Sequence, residues 1–172
     1  MKEKVNEIME IMNSIEYGFK DKNGENIINN KKKWDEEFNN FYYLQTPIEL
    51  LETKCGVCWD QVELERYLFE KNKIEVSTYF IYMKEEDKLP SHTFLTFKEN
   101  NKNYWFEHSW NKYKGIHEYE TEKELLEDVK NKFINDHKEV KNNIIYCYKY
   151  EIPPKHITCD NFYKYIESNY KV

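Results

Sequence analysis

Residues 55–72 read Cys-Gly-Val-Cys-Trp-Asp-Gln-Val-Glu-Leu-Glu-Arg-Tyr-Leu-Phe-Glu-Lys-Asn. From Gly56 to Asn72 the pattern is helical: Val57, Leu64 and Leu68 mark one apolar side, and Val62 and Phe69 mark another. A surface helix carries one apolar stripe, so a helix apolar on two sides belongs at the centre of a fold. Cys58 stands two residues after Gly56, in the first turn. Unpaired backbone N–H groups and the positive end of the helix dipole favour negative charge there. A nucleophilic cysteine needs that help, because a thiol with an ordinary pKa of about 8.5 is mostly protonated at neutral pH.

Upstream of this segment the chain reads as helical. Val5, Ile8, Met9, Met12 and Ile15 recur at three- and four-residue spacing over 5–15, and Asp21-Lys22-Asn23-Gly24 breaks the pattern with turn residues. A second helix is expected over Lys31–Tyr42, with Trp34, Phe38 and Phe41 on one side. Thr46, Pro47 and Glu49 form a capping box for a short helix through Glu52.

Downstream, strand-like runs rich in β-branched and aromatic residues cover Ile74–Met83, His92–Phe97 and Tyr104–Trp110, with the polar turn Lys98–Asn103 between the last two. In His92–Phe97, side-chain alternation sends His92, Phe94 and Thr96 to one face. A tight turn at Asn100-Asn101 sets Glu99 opposite Lys102 and Phe94 opposite Glu107, so Glu107 shares the face of His92 one diagonal step away. A one-residue slip would bring His108 there instead. Thr121 and Glu124 cap a further helix to about His137, with Leu125, Leu126, Val129 and Phe133 inward. A last strand, Ile144–Tyr150, ends at Pro153-Pro154 before a short terminal helix. With no repeats and no linker, the order reads as one α+β domain over residues 1–172.

The string Cys55-Gly56-Val57-Cys58-Trp59-Asp60 resembles the Gly-x-Cys entry to the central helix of transglutaminase-like proteins. Small bacterial members carry a histidine opening one strand and an aspartate about fifteen residues on, past an aromatic hairpin; His92 and Glu107 stand at that spacing. The resemblance covers roughly Pro47 to Trp110. It implies a papain-like core, a central helix packed on an antiparallel β-sheet with flanking helices, and a triad of Cys58 as nucleophile, His92 as base and Glu107 as orienting acid. Glutamate stands where the family usually has aspartate. Papain itself has a similar cysteine string, but its histidine lies far down the chain, whereas His92 follows Cys58 by 34 residues. The family uses an upstream residue as second oxyanion donor, and Gln45 or Trp34 would fill that place. Ser109 or Asn111, acting through water, is the alternative to Glu107 as the acid.

Bulk composition narrows the function. The net charge is -6, and the 26 basic residues, all lysine except Arg66, are interleaved with acidic ones, so no basic stripe marks a nucleic-acid partner. The longest mainly apolar segment, Ser77–Met83, is far short of the ~20 residues of a membrane helix, so no membrane partner is expected. Four cysteines and no leader-like segment suggest a reducing, cytoplasmic setting. The 15 tyrosines read as core filling.

The resulting expectation is a thiol enzyme that forms an acyl intermediate on Cys58 and passes the acyl group from a protein or peptide substrate to water or an amine, without metal or cofactor. Hydrolysis is favoured, because so small a chain has few residues left for an amine site. Two other readings compete: a transglutaminase-like binding domain without chemistry, and a thiol/disulfide redox protein using Cys55 and Cys58. Cys55-x-x-Cys58 also has the spacing of half a zinc site. Cys147 and Cys159 read as packing residues, the remaining histidines as structural or solvated, and Asp60 and Glu63 as helix-dipole partners.

Overall fold

The computed structural model of the protein describes residues 1–84, 89–140 and 144–172. Its elements run in the order α1 (Lys2–Met12), β1 (Glu16–Tyr17), β2 (Phe19–Lys20), β3 (Asn26–Ile27), α2 (Lys31–Phe41), α3 (Pro47–Thr53), β4 (Cys55–Gly56), α4 (Cys58–Lys71), β5 (Val76–Met83), β6 (Ser91–Glu99), β7 (Lys102–Glu107), β8 (Gly115–Tyr119), α5 (Glu122–Asp136), β9 (Ile145–Tyr150), α6 (Cys159–Glu167) and β10 (Tyr170–Lys171), with a 3-10 turn at Asn111–Tyr113. Six strands form an antiparallel sheet in the order β10-β9-β5-β6-β7-β8. The architecture is α+β, with α4 packed centrally on the sheet. Among the described residues no helix is long and apolar enough to cross a membrane.

Both apolar sides of α4 enter one core cluster over most of its length, and its N-terminal end enters another. Val62, Leu64, Leu68 and Phe69 join Val5, Ile8 and Met12 of α1, Leu50 of α3, and Leu95, Phe97 and Phe106 of the sheet. At the other end, Trp59 stacks on Phe162 of α6, 4.3 Å between centroids, and meets Phe80 edge-on. The opposite face of the sheet packs Tyr79, Ile81, Phe94 and Trp105 against Leu125, Val129 and Phe133 of α5. Covered on both faces, β5 reads as a continuous apolar run and not as an alternating one. Each large core side chain contributes about 1.5–3 kcal/mol by leaving water.

The β6–β7 hairpin has the expected register, Glu99 opposite Lys102 through Leu95 opposite Phe106. Asn100 and Asn101 make the turn at φ 50° and 62°, the left-handed pair that matches the twist of a two-residue hairpin. The capping boxes at Thr46/Glu49 and Thr121/Glu124 form as their spacing predicts.

Other expectations need correction. The first third is not purely helical. β2 pairs with β3, and β1 pairs in parallel with β4, setting Glu16 opposite Cys55 and Tyr17 opposite Gly56. That pairing draws Cys55 and Gly56 out of the helix, which therefore begins at Cys58. Phe41 is exposed instead of inward, because the chain turns extended at Tyr42 and that ring stacks on Phe38 in its place. Asp60, in the first turn of α4 as a dipole partner would be, and Glu63 are both buried. Glu63 accepts from Arg66 at 3.1 Å and from the Tyr150 hydroxyl at 3.1 Å, tying α4 to β9.

Candidate active site

The entry to α4 is built by close approach. A side chain on Gly56 would come within 2.6 Å of Leu50 and 2.8 Å of Asp60, and one on Gly18 within 2.4 Å of the Ile27 carbonyl oxygen and 2.7 Å of the Cys55 sulfur. Glycine at both positions lets β1 and β4 run against one another and lets Cys55 bury its sulfur beneath Gly18. Asp60 then locks the turn. Its Oδ2 accepts the Val57 N–H at 2.9 Å, and its Oδ1 accepts the Gln45 N–H at 2.8 Å and the Tyr42 hydroxyl at 3.1 Å. Burial raises this carboxyl to about 7 against the pull of those three bonds. The first intrahelical bond runs from the Gln61 N–H to the Val57 carbonyl, so the N–H groups of Cys58, Trp59 and Asp60 precede helix bonding.

Strand alternation at the end of β7 serves two sides at once. Glu107 points to the face of His92, and its Oε2 accepts the His92 Nε2–H at 2.8 Å. His108, on the opposite face, donates Nδ1–H to Gln61 Oε1 of α4 at 2.6 Å, while Gln61 Nε2 donates to the Gly56 carbonyl at 2.9 Å. Glu107, the last residue of β7, and His108, the first beyond it, thus join the histidine strand and the cysteine helix.

Glu107 is only 2% exposed and is saturated: besides His92, it accepts Trp105 Nε1–H at 3.2 Å on Oε2, and the Trp110 N–H at 2.8 Å and the Ser109 hydroxyl at 3.2 Å on Oε1. Ser109 therefore supports the glutamate instead of replacing it, and Asn111 lies in the 3-10 turn beyond. The Trp110 ring meets the His92 ring edge-on at 5.0 Å. With Nε2 committed to Glu107, Nδ1 is the nitrogen left for Cys58. Burial opposes the imidazolium, but the Glu107 charge, the electrostatic pull of Cys58 and the bond to Glu107 prevail and hold His92 up at about 10. His92 is the second residue of β6 and Cys58 the first of α4, and α4 packs on β6.

Cys58 lines a cavity of about 930 Å³ walled by Tyr17, Trp34, Phe38, Tyr82 and Tyr163. A second cavity of about 280 Å³, lined by Gln61, His108 and Ser109, shares the Tyr17 wall. A family profile described as Transglutaminase-like domain matches residues 1–146. The chain belongs to the transglutaminase-like family. No curated protein matches it. The transglutaminase-like span contains Cys58, His92 and Glu107 and stops within β9, so Cys159 and Tyr163, which wall the larger cavity, come from α6 beyond it.

Within this transglutaminase-like chain, Gln45 is not beside Cys58. Its Nε2 donates to the Cys55 carbonyl at 2.8 Å and its Oε1 accepts from Thr53. Trp34 lines the cysteine's cavity but lies flat on Tyr17, 5.9 Å between centroids. The side chain that reaches the sulfur is Tyr17, its hydroxyl 4.0 Å from Cys58 Sγ. Nothing local marks Tyr17 for this place, because a two-residue strand pairing across 39 residues leaves no periodic signal. Glu65 also escaped the sequence: buried in α4 with one oxygen unpartnered, it is driven well above the carboxylate range by burial and by the nearby Glu107 charge. Among the described residues no cluster of three or more His, Cys, Asp or Glu is placed to hold a metal ion.

Proposed function

We propose that the protein is a cysteine-dependent acyl-transfer enzyme in which Cys58 is the nucleophile, His92 its base and Glu107 the positioning acid. The observation that carries this is the saturated Glu107 carboxylate bonded to a buried His92 at 2.8 Å, beside a cysteine that opens a helix onto a cavity. His92 takes the thiol proton at Nδ1. The sulfur then adds to the carbonyl carbon of an amide, the amine or ammonia leaves with the proton from His92, and a thioester remains on Cys58. Water or an amine resolves it. Tripeptide-sized room in the larger cavity suits a protein or peptide segment as acyl donor. The redox alternative is not favoured, because Cys55 is fully buried and burial pushes its thiol to about 11.

Selective alkylation tests the reading. Iodoacetamide at pH 6 should modify Cys58 at least about tenfold faster than the others, since burial raises Cys147 to about 12 and Cys159 to about 11. His92→Ala should remove the difference. Equal rates at all four cysteines in the native protein would sink the proposal.

A further inference from the structure

The site described so far has a nucleophile, a base and an acid, and backbone N–H groups at the start of α4, yet of the two side chains that resemblance offers for the oxyanion, Gln45 is bonded elsewhere and Trp34 lies flat on Tyr17. We infer that Tyr17 is a catalytic residue whose hydroxyl donates, together with the Cys58 backbone N–H, to the oxyanion formed when an acyl group adds to Cys58. This rests on the acyl-transfer reading above.

Two independent constraints aim that hydroxyl. The backbone around Tyr17 is bonded on both sides to β4, Glu16 N–H to the Lys54 carbonyl at 2.8 Å and Gly18 N–H to the Gly56 carbonyl at 3.4 Å, which fixes the direction in which the side chain leaves the chain. Its ring lies parallel to Trp34, at 5°, which fixes the plane. The hydroxyl then falls 4.0 Å from Cys58 Sγ. A tetrahedral carbon on that sulfur carries its oxygen one bond further out. A donor 4.0 Å from the sulfur is thus one hydrogen bond, about 2.7–3.1 Å, from where the charge develops.

Exposure and chemistry agree with this role. Tyr17 is 43% exposed as a residue, so a substrate in the cavity touches it, while its hydroxyl lies against the buried Cys58 sulfur. Burial and the neighbouring Cys58 push the phenol well above its ordinary range, so it remains a donor wherever the enzyme is folded. Tyr17 also forms part of the wall of both cavities.

In the acylation step, the sulfur–carbon bond forms while the carbonyl π pair moves onto oxygen beside Tyr17. Collapse of that oxyanion re-forms the carbonyl and breaks the bond to the leaving group, and the thiol proton stays on His92 until a leaving amine or a later water exchange takes it. Alkylation by iodoacetamide displaces iodide at a saturated carbon and develops no oxyanion. The two reactions on one sulfur therefore separate the roles. With p-nitrophenyl acetate as the acylating probe, Tyr17→Phe, which keeps the ring on Trp34, should slow the p-nitrophenolate burst by about 10²–10³-fold. Its iodoacetamide rate at Cys58 should stay within about threefold of the native rate. A native burst that Tyr17→Phe leaves unchanged, or speeds up because the ring obstructs the sulfur, overturns the Tyr17 assignment and leaves the acyl-transfer reading standing. Equal loss in both reactions makes Tyr17 a structural residue and also overturns it. A native protein with neither a burst nor selective alkylation at Cys58 removes both readings together.

Discussion

At the scale of single residues, the site depends on which atoms of Glu107 accept. Glu107→Gln replaces one accepting oxygen with an NH₂ that faces the donors of His92 and Trp105. The imidazole then presents its Nε2 lone pair to the amide and carries its proton on Nδ1, where the Cys58 proton should go. Alkylation of Cys58 should fall by about 10²-fold or more, and stability by about 1–3 kcal/mol for the donors left unpaired, with the fold retained. The pH dependence has a definite sign. His92 is raised from 6.5 to about 10, so its contribution to stability is full below about 6.5 and is lost as pH rises through about 10. In Glu107→Gln burial acts without its main opponent, and that loss should begin at lower pH. Alkylation rates and denaturant midpoints across pH 5–10 for both proteins check it; superimposable profiles would deprive Glu107 of its role.

At the scale of elements, the β6–β7 hairpin sets the distance between histidine and glutamate, and two left-handed asparagines set the hairpin. Asn101, at φ 62°, occupies the position where glycine costs least. Asn101→Gly should therefore keep or raise stability by up to about 1 kcal/mol, while Asn101→Val, which pays for a branched side chain in left-handed backbone, should lose about 1–2 kcal/mol. Because slippage by one residue would exchange Glu107 for His108 beside His92, the valine variant should also lose Cys58 alkylation in excess of its unfolded fraction. Urea midpoints alongside alkylation rates measure both, and a valine variant as stable as the native chain would show that sheet contacts alone hold the register.

Across the whole molecule, His108 joins sheet to central helix as a neutral ring. Burial first, and Lys114 second, lower it from 6.5 to about 4, against the opposing charge of Glu107. Its contribution is therefore present above about 6.5 and is lost as pH falls through about 4, opposite in sense to His92. His108→Gln, whose amide still donates to Gln61, should flatten the acid limb of the stability curve between those values, by an amount of order 3 kcal/mol at the limit. Denaturant midpoints at pH 4, 5, 6 and 7 give the comparison. Parallel curves for the two proteins would place the acid sensitivity elsewhere in the fold.

The helix after Gly56, the capped helices at Thr46 and Thr121, and the Glu99–Lys102 register that brings Glu107 to His92 are all legible in the sequence. Each is written in local terms: apolar spacing, a cap three residues from its partner, a two-residue turn between alternating strands. Tyr17 at the sulfur, Asp60 inside the turn, Gln61 bonded to His108 and Glu65 left partly unpartnered are decided only by the tertiary structure. In each of these the partner is far along the chain or the consequence lies in burial. A polar residue in a helix looks the same in sequence whether water or another element covers it, and only packing determines which.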